Sequence, residues 1–267
     1  MSKVVVITGG SSGIGKSIGE YLVTKNYKVY GTSRNPENYR SSKFPILKLD
    51  VTQSDSIQKA INEVIKIENR IDVLINNAGV GITGPIEEVP DSEIKSNFDT
   101  NFFGPITVIK AVLPKMREQG SGLIVNVTSI AGYMGLPYRG IYSASKGALE
   151  LLTEAFRMEL KGFNIQMTSI APGDFATNIA QGRYHSPVLA NSPYKYPYSN
   201  TLNMMNDHVD EGMDPLIMAK MVHKIINTRR PKVHYKVGHF MQKFSIRLKR
   251  ILPDKIYEKL LLKHYKL

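Results

Sequence analysis

Three side chains in this sequence have the types and spacing to move a proton at a carbonyl oxygen: Ser129, Tyr142 and Lys146. Tyr142 and Lys146 stand four apart in a segment of helical period, so both lie on one helix face. A free tyrosine titrates near pH ~10, too high for an efficient acid or base at neutral pH. A lysine ammonium beside it favours the phenolate and lowers that value, and an oxidised nicotinamide acts in the same direction. Ser129 follows the apolar stretch 123–127, and from a strand's carboxyl end its hydroxyl can bond and polarise a substrate oxygen. In reduction Tyr142 gives a proton to the carbonyl oxygen as hydride reaches carbon; in oxidation it removes the alcohol proton. Each residue alone also has an ordinary structural role open to it. The set is what points to chemistry.

A hydride donor must then be held nearby. Thr8-Gly9-Gly10-Ser11-Ser12-Gly13-Ile14-Gly15 follows the apolar run 4–7 and opens a helix. Gly9 permits the tight turn, Gly13 the close approach of backbone to a pyrophosphate, and Gly15 the packing of helix on strand. Ser11, Ser12 and Ile14 belong to the same turn. The second strand ends Tyr30-Gly31-Thr32-Ser33-Arg34, without the acid that would bond a ribose 2′-OH. Arg34 can instead pair with a 2′-phosphate, and Thr32 or Ser33 can add a hydroxyl contact. These residues favour NADP(H) over NAD(H).

The elements that must position these residues show in the rhythm of the chain. Short β-branched runs at 4–8, 28–32, 46–48, 72–76, 122–127 and 166–170 alternate with helical periods at 14–24, 55–68, 92–116 and 142–161. Near-continuous apolar strands alternating with helices predict an α/β domain, its parallel sheet covered on both faces. The 267 residues suffice for one such domain, assigned here to 1–235, with 236–267 as a basic extension. The segment 178–214 breaks the rhythm with Pro187, Pro193, Pro197 and four tyrosines. It reads as an irregular insert, either a substrate lid or a surface loop.

Composition narrows the function classes. The absence of cysteine excludes disulfides, a thiolate nucleophile and Cys-ligated zinc, and six scattered histidines make no metal spacing. No apolar run is long enough to cross a bilayer, so the expected location is cytoplasmic. The net charge of +12 is concentrated at the end: residues 229–267 hold twelve Lys/Arg against Asp254 and Glu258. No recognised motif accompanies that charge, so nucleic-acid binding is not expected.

Taken together, Thr8-Gly9-x-x-x-Gly13-x-Gly15, Asp50-Val51, Asn76-Asn77-Ala78-Gly79, Asn101, Ser129, Tyr142-x-x-x-Lys146 and Pro172-Gly173-x-x-x-Thr177 resemble the classical short-chain dehydrogenases/reductases from residue 3 to about 177. Val29 to Arg34 and the C-terminal extension look most like the 17β-hydroxysteroid and retinol dehydrogenase branch. The resemblance implies a single-domain Rossmann fold, doubly wound around a seven-stranded parallel sheet. It further implies metal-free carbonyl/alcohol redox chemistry, and a homodimer or homotetramer built on the long helices after strands four and five. It implies that Lys146 also holds the nicotinamide ribose and that Asn101 anchors a water linking Lys146 to solvent. Asp50 and Val51 would lie near adenine, Asn77 near the adenosine ribose with Ala78 and Gly79 beside it, and Pro172, Gly173 and Thr177 around the nicotinamide.

The expected pocket lies between Ser129, Tyr142 and the 178–214 segment, with residues 81–85 and 135–137 as further walls. These are small or apolar, and no paired Arg or Lys is aimed at a carboxylate. A hydrophobic ketone or aldehyde of steroid, retinoid or sphingoid type follows, with a broad carbonyl reductase beside it. The alternatives are a dinucleotide-binding sensor or scaffold without turnover, which the intact Ser129, Tyr142 and Lys146 argue against, and an epimerase of the extended branch, for which the chain is short. Phe240, Phe244, Leu248 and Ile251 repeat among Lys243, Arg247, Lys249 and Arg250, and a second such stretch follows Pro253. Basic amphipathic helices of this kind either lie on an anionic membrane or pack on the domain or a sister subunit with their charges solvated.

Overall fold

In the computed structural model, which describes residues 2–176, 182–210 and 212–267, the run Val4–Ile7 forms β1, an interior strand of the sheet. Its side chains alternate between two cores, as the period of a strand requires. Val5 and Ile7 meet α1 (Gly13–Val23) and α7 (Leu216–Ile226) through Ile18, Leu22, Met218 and Val222. Val4 and Val6 meet α2 (Ser54–Glu68) and α4 (Gly104–Glu118) through Ile57, Ile61, Val64, Val108 and Val112. Each such side chain, fully buried, contributes ~1.5–3 kcal/mol.

β2 (Lys28–Ser33) and β3 (Ile46–Lys48) extend the sheet on one side of β1, and β4 (Val73–Asn76) lies on the other. A short β5 (Ile82–Thr83) precedes α3 (Asp91–Phe98). β6 (Gly122–Val127), α5 (Gly140–Glu159) and β7 (Ile165–Pro172) follow α4. Beyond β7 come β8 (Tyr184–His185), α6 (Lys195–Asp210), α7, β9 (His234–Val237), α8 (Phe240–Ile251) and α9 (Asp254–Tyr265). The main sheet is parallel throughout, in the order β3-β2-β1-β4-β6-β7-β9. Seven strands with helices on both faces match the expected fold. The order reverses between β1 and β4, and the crevice at their carboxyl ends is where doubly wound folds take ligands.

Two expectations need correction. The single helix at 92–116 is divided by a π turn at Asp99–Phe103, where the Gly104 N–H bonds back to the Asp99 carbonyl. Pro105 is the physical reason: it has no N–H to give the Asn101 carbonyl, so the α-helical ladder cannot run through. The irregular insert holds both β8 and α6. Pro197 stands in the first turn of α6, where a missing N–H costs no helical bond. The basic extension forms the expected helices, and of the placements left open for it they take packing on the domain: Ile246 and Tyr257 pack with Ile130, Met134 and Ala171.

Candidate active site

Ser129 ends the turn after β6 and caps a short 3-10 helix, Ile130–Tyr133, its Oγ accepting from the Ala131 N–H at 3.1 Å. The hydroxyl proton remains free to donate. α5 comes close enough for Tyr142 to share this turn because two glycines face each other. A Cβ on Gly132 would lie 3.0 Å from Gly147 N, and one on Gly147 would lie 2.9 Å from Gly132 O. Tyr142 is buried among Ile82, Val89 and Ala131, with the Arg139 guanidinium 5.5 Å from its ring centre.

One turn further along α5, Lys146 is fully enclosed, and its Nζ donates to the Val127 carbonyl at 3.1 Å. Burial pushes its pKa down to about 8, against the opposing pull of the Glu150 carboxylate. Glu150 is buried too, accepting from Thr128 Oγ1 and from Ser169 Oγ at 2.5 Å, with His234 Nδ1 at 2.7 Å. Those bonds, His234 foremost, hold its carboxyl below the usual range despite burial.

Asn101 spends its side chain on structure. Oδ1 accepts from Val80 N and Nδ2 donates to Val80 O, both at 2.9 Å, with Ser145 Oγ at 3.3 Å. It ties the loop after β4 to α5. Pro105, which has no N–H, leaves the Asn101 main-chain carbonyl without its α-helical donor.

The glycine turn fits a dinucleotide. A Cβ on Gly15 would lie 2.3 Å from Gly9 O, and Gly9 and Gly13 have φ of +64° and +51°. Helix α1 has neither a side-chain cap from Ser12 nor an acid in its first turn, so its positive end is open to an anion. Ser11 and Ile14 are half-buried there, and Ile14 reaches the substrate cavity. Gly79 keeps space beside the lysine: a Cβ would lie 3.2 Å from Lys146 Nζ.

Several neighbours brace the turn itself. Thr32 is buried with its Oγ1 accepting from Gly9 N at 3.3 Å. Asn77 Nδ2 donates to the Thr8 and Gly9 carbonyls at 3.0 Å, and Ala78 N donates to Thr8 Oγ1 at 3.0 Å. Asp50 Oδ1 accepts from both Thr52 N and Oγ1, and Val51 packs against Gly104. Ser33 Oγ accepts from Asn35 N, which leaves Arg34 exposed just beyond β2. Pro172 closes β7, and Gly173 N donates to Val237 O at 2.7 Å. Thr177 lies outside the described residues.

A cavity of about 580 Å³ opens on Ser129 and Tyr142. Ile82, Thr83, Leu136 and Arg183 form walls in the expected segments, but Met241, Gln242, Leu248, Leu260 and Leu261 of the C-terminal helices form another. The expectation of no paired cations is also overturned, because Arg139 and Arg183 both line this cavity. They meet because β5 and β8 pair, Ile82 with Tyr184 and Thr83 with His185, which lays the stem of Arg183 over Gly81. Arg139 was within reach of sequence reasoning, three residues ahead of Tyr142. No spacing signals Arg183 or Gln242.

Residues 3–187 match the family model for short chain dehydrogenase. The chain belongs to the short-chain dehydrogenase family. It is 38% identical over 257 residues to 3-ketodihydrosphingosine reductase of Bacteroides thetaiotaomicron, covering 96% of this chain and 95% of that protein. It is 30% identical to NADPH-dependent 3-dehydrocapnine reductase of Ornithobacterium rhinotracheale, covering 99% and 98%. A crystal structure of a short-chain dehydrogenase from Streptomyces avermitilis superposes with a TM-score of 0.86 at 29% identity, covering 100% of this chain and 97% of that one. As a short-chain dehydrogenase, the chain is an oxidoreductase acting on CH–OH or keto groups with a nicotinamide dinucleotide. Among the described residues, no helix of this dehydrogenase is long and apolar enough to cross a membrane.

Proposed function

We propose that this short-chain dehydrogenase reduces a long, largely apolar ketone with NADPH, using Tyr142 as proton donor. The observation that carries the reading is the opening of a largely apolar cavity directly onto Ser129 and Tyr142, with Lys146 enclosed one turn behind. The names of the two reductases above support a keto substrate, and one supports NADPH. Arg34, with no acid at the end of β2, supports the same cofactor.

NADPH, when bound, would supply hydride to the carbonyl carbon. Ser129 Oγ donates to the carbonyl oxygen, which its bond from Ala131 N leaves it free to do. Tyr142 delivers a proton to the same oxygen. Lys146 Nζ, held by Val127 O, keeps positive charge beside that phenol and would hold the nicotinamide ribose. Gly9, Gly13 and Gly15 admit the pyrophosphate to the end of α1, and the Asn101 carbonyl holds the water through which Lys146 reaches solvent. The exposed basic face of α8 and α9 lies on an anionic membrane surface.

The test is NADPH oxidation with a panel of long-chain ketones, wild type against Tyr142→Phe. The variant is expected to bind NADPH as wild type does and to lose turnover by ~10²-fold or more, the scale of general acid catalysis. Near-normal turnover would refute the assignment. In parallel titrations NADPH should bind more tightly than NADH, and Arg34→Leu should erase the difference; equal binding to wild type would count against Arg34.

A further inference from the structure

The wall of the substrate cavity holds more positive charge than a purely apolar ligand needs. Arg139, at the start of α5, and Arg183, just before β8, enter it from chain segments 44 residues apart. Arg183 Nη1 is buried without a hydrogen-bond partner among the described residues. Its guanidinium is held below its ordinary pKa, first by burial and then by the charge of Arg139. Guanidinium stays protonated in proteins, so both charges persist at neutral pH. Asp174 is the one carboxylate among the described residues lining the cavity, and its Oδ2 already accepts from Gln242 Nε2 at 2.6 Å. One acid against two arginines leaves the wall net positive.

The position of these charges is built in. Gly81 lacks the side chain that would displace Arg183, since a Cβ there would lie 2.8 Å from Arg183 Cγ and 3.2 Å from Nε. The β5–β8 pairing fixes the height of Arg183 opposite Gly81, and Arg139 lies against the ring of Tyr142. Both line the cavity that opens on Ser129 and Tyr142, and they come from the start of α5 and the β5–β8 pair, not from the end of β2 where Arg34 stands. A buried donor with no partner and a like charge beside it is unfavourable until an anion arrives.

We propose that the substrate carries an oxyanion, with a carboxylate as the simplest example, a few bonds from the reacting carbonyl, and that Arg183 and Arg139 bind it. The fork of a guanidinium suits two oxygens of such a group. The proposal rests on the reductase reading for the location of the carbonyl, but not for the anion site itself. It sets the reaction among those that consume keto compounds with an apolar chain and an acidic head. A ketone bearing an ammonium group at that place would meet repulsion.

Calorimetry on the full chain saturated with NADP+ tests this without turnover, because oxidised cofactor cannot reduce a ketone. The ligands are 4-oxododecanoate, its methyl ester and a long-chain 2-amino-3-ketone. Wild type should bind the acid about tenfold more tightly than the ester, the scale of one charge-assisted bond. Arg183→Gln should remove that preference while NADP+ binding stays unchanged, and Arg183→Lys, which keeps charge but not the fork, should fall between. Arg139→Gln provides a second removal if Arg183→Gln does not fold. Equal binding of acid and ester, tighter binding of the amine, or loss of NADP+ affinity in Arg183→Gln would each overturn the proposal. NADPH oxidation with the same ligands separates the two readings: wild type that turns over none of them fails as a ketone reductase while calorimetry still decides the anion site.

Discussion

Lys146 shows how far a single position can be read from its neighbours. Its spacing from Tyr142 predicts a shared helix face, and both residues do lie buried on α5. The sequence does not reveal that Glu150, one further turn along, is buried as its counter-charge. Burial alone would drive the ammonium pKa lower than about 8, and the carboxylate pulls it back. Reduction needs that ammonium protonated, so kcat/KM for ketone should fall as pH rises through about 8. Glu150→Gln keeps the shape and removes the charge, and should move this limb to lower pH. A limb that stays in place or moves up would mean that Lys146 does not govern it. Elsewhere at this scale, residue type does not tell which backbone groups a side chain braces. The Thr32 hydroxyl, expected at the cofactor, serves Gly9 N, and the Asn77 amide serves Thr8 and Gly9. Both brace the turn that would receive a phosphate.

Elements with strong periodicity were legible: the six apolar strands and the helices at 14–24, 55–68 and 142–161 correspond to observed elements. Those missed are defined by partners. β9 is three half-buried residues and the buried Val237, a strand only against β7, and β8 is two residues that pair with β5. α6 hides behind proline and asparagine, yet it buries Tyr198, whose hydroxyl donates to Ser186 O at 3.1 Å. The pairing of β9 has an energetic clasp. His234 has Glu150 Oε2 at 2.7 Å from Nδ1 and Glu154 Oε1 at 2.9 Å from Nε2. A carboxylate at each ring nitrogen is satisfied only by the doubly protonated imidazole. Its pKa is accordingly raised, chiefly by the bond to Glu150, while that of Glu150 is lowered. The histidine contribution is complete below its unfolded value near ~6.5 and is lost as pH rises through the higher folded value. The glutamate contribution is present above ~4.3 and is lost as pH falls through its lowered folded value. His234→Ala should therefore cost on the order of 1–2 kcal/mol near pH 6, a few degrees of melting temperature, and less at pH 9. Thermal unfolding at the two pH values checks it, and an equal cost at both would show that the clasp is not ionic.

At the scale of the whole molecule, the charge asymmetry and the position of the cavity belong together. The sequence left two readings of the basic extension, a membrane surface or packing on protein, and the structure shows that one face of each helix takes the second. Ile246 and Tyr257 are buried against the domain, and Leu248 and Leu261 line the cavity. The other face still exposes Phe240, Met241, Ile251 and Ile256, with Lys243, Arg247, Lys255 and Lys259 also exposed. Phe240 and Phe244 stack with ring centres 5.6 Å apart. Met241 and Leu260 are both exposed and part of the cavity lining, so the mouth lies where this apolar and basic face meets solvent. An amphiphilic substrate could then pass from a bilayer into the cavity without crossing water. Basic side chains near an anionic surface contribute ~1 kcal/mol each and lose it with salt, whereas inserted aromatic rings do not. Vesicles with a third of anionic phosphatidylglycerol should float the full chain at low salt, and neutral vesicles should float it less. Phe240→Ser with Phe244→Ser should weaken the salt-resistant part, and Lys243→Glu with Arg247→Glu the salt-sensitive part. Removing everything after residue 235 would be a poor control, because it cuts β9 and takes away a wall of the cavity. Equal flotation on neutral and anionic vesicles, unmoved by either double variant, would leave the exposed face without a membrane role and return its charge to solvation alone.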